Sequence, residues 1–274
     1  MSRRRLRCGH PIRAVVLAAC GAAVLAGACS SPGGTAPVAT DPAGSSHRLS
    51  GRLVVLAASS LTEPFEALGR AFEATHPGVT VRFSFDGSPA LARQIDEGAD
   101  ADVFASADQA IMRSVVGAGE AADPVSIARN RLAILVAPGN PLGVRTLGDV
   151  VRPGLVLVVC AREVPCGRLA ATAFRSAGLS PEPSSFEPNV KAVVAKVVLG
   201  EADAGIVYRS DVHAAGRRAQ GIDIAARDGQ DVETTYVMAV TSDAANAAAA
   251  RSWVAFVRSP AGRAALTTAG FTAQ

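Results

Sequence analysis

The sequence is poor in several residue classes that mark specialised proteins. Of the 274 residues, 19% are charged and 4% aromatic, and only five cysteines and four histidines are present. Because 49% of the residues are apolar, burial can offset chain entropy, which argues against a disordered protein. The few cysteines exclude a disulfide-dense scaffold. No His, Cys or Asp cluster has metal-ligand spacing, so nothing predicts a cation site.

The N-terminal segment has the pattern of a secretory signal. Five arginines and no acidic residue lie within residues 3–13, before an apolar run at 14–28 that is too short to span a bilayer. Cys29 follows the letters LAGA, which resemble a bacterial lipobox. We therefore expect residues 1–28 to be a lipoprotein signal peptide and Cys29 to be lipidated. Cys20 is an alternative lipidation site, and a leader without lipid is another alternative.

The segment after this leader is rich in Gly, Pro, Ser and Thr, so we expect residues 29–48 to be a flexible tether, reaching roughly 25 Å on average. Removing residues 1–28 takes away five arginines and turns the formal charge of +3 into −2. The basic charge therefore belongs to the leader and does not predict a nucleic-acid partner. Nothing in the pattern indicates self-association, so we expect a monomer.

Short β-rich runs alternate with helical patterns from residue 49 onward. This rhythm predicts α/β lobes, each with a mostly parallel sheet flanked by helices. Two lobes fit the length, with lobe one at 49–129 plus 234–274 and lobe two at 130–233. The expected strands are 53–57, 79–85, 102–106, 131–136, 155–160, 204–208, 222–225 and 234–240. The final helix, 260–269, has Ser259 as its N-cap.

Two strand-to-helix turns in the first half carry serines. Ligands of open α/β sheets bind beyond the carboxyl ends of strands, where helix N-termini offer N–H groups. Ser60 stands in the first such turn, and Ser88 precedes Pro89 in the second. Ordinary capping also explains both residues, as a capping box of Ser60 with Glu63 and as an N-cap at Ser88.

Three further turns lie in the second half. Cys166 follows a proline at a helix start, Asn189 and Val190 open another helix, and Tyr208 ends a strand. Each of these turns also has a purely structural explanation. The proline before Cys166 favours a turn, Asn189 can cap its helix, and Tyr208 can be a half-buried aromatic residue. A single cleft between two α/β lobes would nevertheless gather all five turns.

Four stretches of the sequence resemble one known family. They are AASSLT at 57–62, the run from Phe83 through Ser88 to Ile95, ADVFASAD at 101–108 and GIVYRSD at 205–211. The chain from 49 to 271 resembles the periplasmic molybdate-binding proteins, the substrate-binding components of molybdate ABC transporters. The resemblance implies a type II periplasmic-binding-protein fold that closes on an oxyanion in the interlobe cleft. It also implies a membrane permease as partner, and export to the outer face of the cytoplasmic membrane.

The same resemblance implies a ligand site without a cofactor or a metal cation. Its members are the hydroxyls of Ser60, Ser88 and Tyr208 and the backbone N–H groups of Cys166 and Val190. The family commonly has Ala at the position of Cys166, which matters little for a backbone donor. A small neutral residue is usual at the position of Asp86, where a carboxylate facing the anion would be unfavourable.

A cage of hydroxyl and N–H donors offers no acceptor. It therefore suits a fully deprotonated tetrahedral dianion, whereas phosphate carries a proton near neutral pH and needs an acceptor. We expect molybdate or tungstate as the ligand and no enzymatic activity. Sulfate or phosphate is the alternative, and phosphate would require Asp86 to face the cleft.

Two cysteines of the exported part form an isolated pair, Cys160 and Cys166. In an oxidising compartment we expect them to form a disulfide that braces the anion-binding loop. Two reduced thiols are the alternative. A thiol enzyme with Cys166 as nucleophile is a further alternative, but no histidine has a spacing that would supply its base.

Overall fold

The computed structural model of the protein describes residues 48–224 and 232–274. The expected signal peptide, Cys20, Cys29 and the tether up to His47 lie outside the described residues. So does Ala225, the last residue of one expected strand. Across the described ranges, none of the helices is both long enough and apolar enough to cross a membrane.

The described residues form alternating strands and helices, as the sequence pattern predicts. The strands are β1 (Gly51–Ala58), β2 (Val79–Asp86), β3 (Val103–Ser106), β4 (Ala121–Val136), β5 (Leu157–Cys160), β6 (Ser185–Glu187), β7 (Ala204–Tyr208), β8 (Gln220–Asp223), β9 (Glu233–Thr241) and β10 (Thr272–Ala273). The helices are α1 (Thr62–Thr75), α2 (Ser88–Asp96), α3 (Gln109–Gly117), α4 (Pro165–Ser176), α5 (Val190–Val198), α6 (Arg209–Ala215), α7 (Ala247–Val257) and α8 (Pro260–Thr268).

The strands follow the order β2-β1-β3-β9-β4-β7-β5-β6, and β8 and β10 both pair with β4. The groups β2-β1-β3 and β7-β5-β6 are parallel, as the strand–helix alternation predicts. By contrast, β9 runs antiparallel to β3 and β4, and β4 runs antiparallel to β7. The sheet as a whole is therefore mixed.

Strand β4 is much longer than the expected 131–136. Its first part pairs with β9 and its last part with β7 and β8. The pairing with β9 is irregular between Ala122 and Val125, where Asp123 has φ of 49° next to Pro124. Such a bulge accommodates a proline within a strand. The Asp-Pro pair has the sequence pattern of a turn, so the first half of this strand is not predicted.

The hydrophobic core has three clusters, of which two lie in one part of the fold and the third in the other. We use lobe one for the part whose core residues lie between 53 and 128 and between 236 and 271, and lobe two for the part whose core residues lie between 132 and 232. In lobe one, the rings of Phe65 and Phe72 both meet Trp253 edge-on, with centroids 5.5 Å apart. Strands β4 and β9 carry the chain between the lobes.

Side-chain caps mark the starts of several helices. Asp108 accepts from the N–H of Ile111 at 2.9 Å, and Ser259 accepts from the N–H of Gly262 at 3.2 Å. The predicted cap at Ser259 is thus confirmed. Helix α7 begins at Ala247, and Asn246 is its cap, accepting from the N–H of Ala249 at 3.3 Å.

Candidate functional site

A small, tightly lined cavity lies where the carboxyl ends of the parallel strands of both lobes meet. Its walls contain all five residues predicted to bind the ligand. The lining residues are Ala58, Ser59, Ser60, Asp86, Gly87, Ser88, Ala107, Val164, Pro165, Cys166, Val190 and Tyr208. The space between these residues is far too small for a drug-sized organic ligand.

Ser60 lies in a single 3₁₀ turn, Ser59–Leu61, between β1 and α1. Its hydroxyl is buried and lies 2.7 Å from the hydroxyl of Tyr236. The alternative capping box of Ser60 with Glu63 is not formed, because the residue at the N-cap of α1 is Leu61 and no side chain caps that helix. The serine hydroxyl is therefore not used as a helix cap, and its partner among the described residues is Tyr236.

Ser88 is the first residue of α2, with Gly87 at the N-cap, and no side chain caps the helix. The alternative interpretation of Ser88 as a capping residue is therefore wrong. Its Oγ instead accepts from the N–H of Ala107 at 3.0 Å. Since this bond uses a lone pair of the oxygen, the hydroxyl hydrogen remains able to donate into the cavity. A side chain at Gly87 would collide with the carbonyl oxygen of Pro188, so glycine permits the close approach of the two lobes.

Cys166 and Val190 bring helix N-termini from lobe two to the cavity. Cys166 is the second residue of α4, and Val190 is the first of α5. The first N–H groups of a helix have no acceptor within it, and they lie at the positive end of the helix dipole. Asn189 caps α5 as predicted, accepting from the N–H of Ala192 at 3.0 Å. Both predicted backbone donors are therefore on elements whose free N–H groups favour an anion.

The sulfur of Cys166 is joined to that of Cys160 in a disulfide, with Cα atoms 5.8 Å apart. The bridge links the end of β5 to the first turn of α4. Gly167 follows it, and a side chain there would collide with the carbonyl oxygens of Cys160 and Ala161. The turn that carries the N–H of Cys166 is thus tightly held, and Cys166 has no free thiolate for the alternative of a thiol enzyme.

Tyr208 ends β7, and its side chain is buried at the cavity wall. Its hydroxyl has no hydrogen-bond partner among the described residues. Burial raises the pKa of this phenol well above its usual range, so it stays protonated and can act as a donor. An unpartnered buried hydroxyl is costly unless a ligand completes it, which makes this group the clearest sign of a ligand site.

Tyr236 is a further site residue that the sequence reasoning did not single out. It lies on β9, is fully buried and does not itself line the cavity. Its hydroxyl contacts Ser60, and its ring meets that of Tyr208 edge-on at a centroid distance of 6.0 Å. The chain has only two tyrosines, and both are here. A tyrosine within an expected strand is a signal that could have identified Tyr236, because a buried tyrosine hydroxyl needs a polar partner.

Asp86 lies at the cavity wall, and one oxygen of its carboxylate already accepts hydrogen bonds from the protein. Its Oδ1 accepts from the N–H of Gly87 at 2.7 Å and from the side-chain amide of Asn189 at 2.9 Å. Asn189 belongs to lobe two. Asp86, which replaces the small neutral residue usual in the family, therefore forms a hydrogen bond between the lobes. Two donors on one oxygen leave that oxygen little capacity to accept a proton from a ligand.

No Lys, Arg or His is among the described residues that line the cavity. The nearby charges pair with one another instead: Lys191 bonds both carboxylate oxygens of Glu63 at 2.7 and 2.8 Å, and Arg168 pairs with Asp108. Both pairs join the two lobes. The cavity itself therefore offers neutral donors.

Asp211 is a buried carboxylate behind Tyr208. It accepts from the N–H of Tyr208 at 3.1 Å and lies 3.3 Å from the Nζ of Lys191. Burial disfavours its charge more than Lys191 favours it, which raises the pKa of Asp211 to about 6.

Two α/β lobes around a small cavity lined by donors define a solute-binding protein of the periplasmic-binding-protein class. Residues 53–272 match the family model of the bacterial extracellular solute-binding proteins, and the chain belongs to that family. Within the described residues 48–224 and 232–274, no group of three or more His, Cys, Asp and Glu side chains could hold a metal ion.

Similar proteins agree with this class. The molybdate-binding protein ModA of Mycobacterium tuberculosis is 42% identical over 220 residues, which cover 80% of this chain and 84% of that one. The solved periplasmic molybdate-binding protein of Azotobacter vinelandii has a TM-score of 0.71 at 22% identity, covering 80% of this chain and 98% of that one. The solved sulfate-binding protein SubI of M. tuberculosis has a TM-score of 0.71 at 19% identity, covering 80% and 86%. The predicted fold and the resemblance to molybdate-binding proteins are confirmed, and the two structures bear on the fold alone.

Proposed function

We propose that the protein captures molybdate, and also tungstate, outside the cytoplasmic membrane and delivers it to an ABC transporter. The observation that carries this proposal is the convergence of neutral donors from both lobes on one small cavity, where the Tyr208 hydroxyl has no partner among the described residues. The 42% identity to a molybdate-binding protein over most of both chains supports the same ligand. The protein acts by binding and release and performs no chemical reaction.

The donors suit a dianion that carries no proton. The oxyanion is bound by three hydroxyls and two backbone N–H groups. The hydroxyls belong to Ser60, Ser88 and Tyr208, and the N–H groups to Cys166 and Val190. Each hydrogen bond to a charged group contributes roughly 1.5–3 kcal/mol. A few of them suffice for binding below the micromolar range, which needs about −8 kcal/mol. No cationic side chain is required.

The same five donors should discriminate against phosphate. Hydrogenphosphate carries a proton that must meet an acceptor. The two backbone N–H groups cannot accept it, and a hydroxyl that accepts it must turn its own hydrogen away from that oxygen of the ligand. The nearest carboxylate, Asp86, already accepts two bonds on its Oδ1. Sulfate is the second candidate, because it is also a fully deprotonated tetrahedral dianion and meets the same donors. Between molybdate and sulfate the size of the closed cage decides.

The N-terminal residues and the two lobes each have a part in the proposed transport role. We infer that residues 1–28 are removed as a signal peptide and that lipidated Cys29 anchors the protein to the outer face of the cytoplasmic membrane. Residues 29–48 then tether a monomer whose lobe one comprises 49–129 plus 234–274 and whose lobe two comprises 130–233. Closure of the lobes on the oxyanion presents a single surface to the membrane permease.

The substitution Ser88→Ala tests the site. We expect it to weaken molybdate binding by about 1–3 kcal/mol, because one donor to the dianion is lost, without loss of the fold. Ser259→Ala is the matched control, since Ser259 accepts an N–H bond at a helix start in lobe one and is absent from the cavity wall. Calorimetric titration with molybdate measures both. Equal affinities of the Ser88 variant and the wild type would remove Ser88 from the site.

A further inference from the structure

We propose that Tyr236 is a positioning residue for the oxyanion, acting through Ser60. Its phenol donates to the Ser60 oxygen and so directs the Ser60 hydroxyl hydrogen into the cavity. The inference rests on the proposed function, because it assumes that Ser60 binds a tetrahedral oxyanion. It adds a residue that does not touch the ligand.

The first step of the argument is geometric. The Oη of Tyr236 lies 2.7 Å from the Oγ of Ser60, and both side chains are buried. The Tyr236 ring is held edge-on against Tyr208 at 6.0 Å and against Phe271 at 5.2 Å between centroids. A ring packed on two sides keeps its hydroxyl in one place, so Ser60 has a fixed partner.

The second step concerns the direction of the hydrogen bond. Either hydroxyl could be the donor on distance alone. A serine has a single hydroxyl hydrogen, so if Ser60 donated to Tyr236 it would have none for the oxyanion. Burial raises the pKa of Tyr236, which keeps the phenol protonated and able to donate. Donation from Tyr236 to Ser60 is therefore the arrangement that makes Ser60 a ligand donor.

The third step is the parallel with the other serine. The Oγ of Ser88 accepts from the N–H of Ala107 at 3.0 Å, which likewise leaves its hydrogen for the cavity. Each serine thus receives one hydrogen bond from the protein, Ser88 from the backbone and Ser60 from Tyr236. The phenol of Tyr236 thus orients the hydroxyl of Ser60, as the N–H of Ala107 orients that of Ser88.

A double-mutant cycle tests this assignment. Molybdate affinity is measured by calorimetry for the wild type, Tyr236→Phe, Ser60→Ala and the double variant. We expect Tyr236→Phe to weaken binding about fivefold to twentyfold, since one hydrogen bond to the dianion is misdirected while the ring is kept. In the Ser60→Ala background, the same change is expected to have less than a twofold effect.

The matched control is the same cycle with Ser88→Ala, which Tyr236 does not contact. There the two effects should add, because Tyr236 acts through Ser60, and the hydroxyl of Ser88 is oriented separately by the N–H of Ala107. Wild-type affinity in Tyr236→Phe would overturn the proposal. An equal loss with and without Ser60 would overturn it too, because Tyr236 would then act on the ligand site by another route, such as a general loosening of the fold.

The failure of the proposed function has a different signature. If the wild type binds sulfate or phosphate and not molybdate, the proposed ligand is wrong, and the cycle is run with the oxyanion that binds, so the assignment of Tyr236 is still decided. If the wild type binds none of these oxyanions, both proposals are overturned.

Discussion

The side-chain amide of Asn189 donates to the carboxylate of Asp86 at 2.9 Å, and the two residues come from opposite lobes. Asn189 also caps α5, the helix whose first residue, Val190, lies at the cavity wall. One side chain therefore bonds lobe one and orders a helix N-terminus at the ligand site. It also bonds one oxygen of Asp86, the only acidic residue among the described residues that line the cavity.

Asn189→Ala is expected to weaken molybdate binding about tenfold, or ~1.4 kcal/mol. The variant loses the bond between the lobes and leaves the Asp86 carboxylate with one donor fewer beside the dianion. Asn246→Ala is the matched control, because Asn246 caps α7 in the same manner and is absent from the cavity wall. Both variants should lose about 1 kcal/mol of stability through their caps. Calorimetry together with urea unfolding separates the two effects, and equal molybdate affinity in both variants would exclude a role of Asn189 in binding.

Asp211→Asn is expected to change how stability depends on pH. The native pKa of Asp211 is about 6, against an ordinary value of 3.8. Between these values the native state keeps a proton that the unfolded chain releases, so this group's contribution to the free energy of unfolding falls as pH rises. From pH 4 to pH 7, the wild type should lose about 2 kcal/mol relative to the variant.

Urea unfolding of the wild type and Asp211→Asn across this pH range measures that difference. Lys191 and Glu63 are unchanged in both proteins, so their titration should largely cancel in the comparison. Curves that run parallel from pH 4 to pH 7 would contradict a raised native pKa at Asp211.

The disulfide should contribute to the stability of the fold and have little effect on ligand binding. Replacing both Cys160 and Cys166 with Ser opens a loop of seven residues and should cost about 2 kcal/mol of unfolding free energy. Molybdate binding should persist, because the proposed donor at residue 166 is a backbone N–H. Mass spectrometry of unreduced protein from the cell envelope should find no free thiol at either position. Two free thiols there would contradict the bridge.

Much of the fold follows from local pattern. The expected strand at 204–208 coincides with β7, and the caps at Asn189 and Ser259 are where the sequence predicts them. These features depend on residues close in sequence, and the physics of strand alternation and capping is local. The meeting of the five turns follows from a general rule for open α/β sheets.

The remaining features of the site depend on distant pairing. Tyr236 meets Ser60 only because β9 returns antiparallel beside β3, and Asp86 meets Asn189 only because the lobes face each other. The first half of β4 contains a proline that a bulge absorbs, which no local pattern indicates. The hydroxyl of Ser88 was open to a capping interpretation because its true partner, Ala107, lies 19 residues away.

The choice of ligand is the central claim, and calorimetric titration of the purified protein with molybdate, tungstate, sulfate and phosphate at neutral pH tests it most directly. The donor-only cavity predicts binding of molybdate and tungstate below the micromolar range, weaker binding of sulfate and no measurable heat with phosphate. Tight binding of phosphate, with no heat from molybdate, would contradict the account.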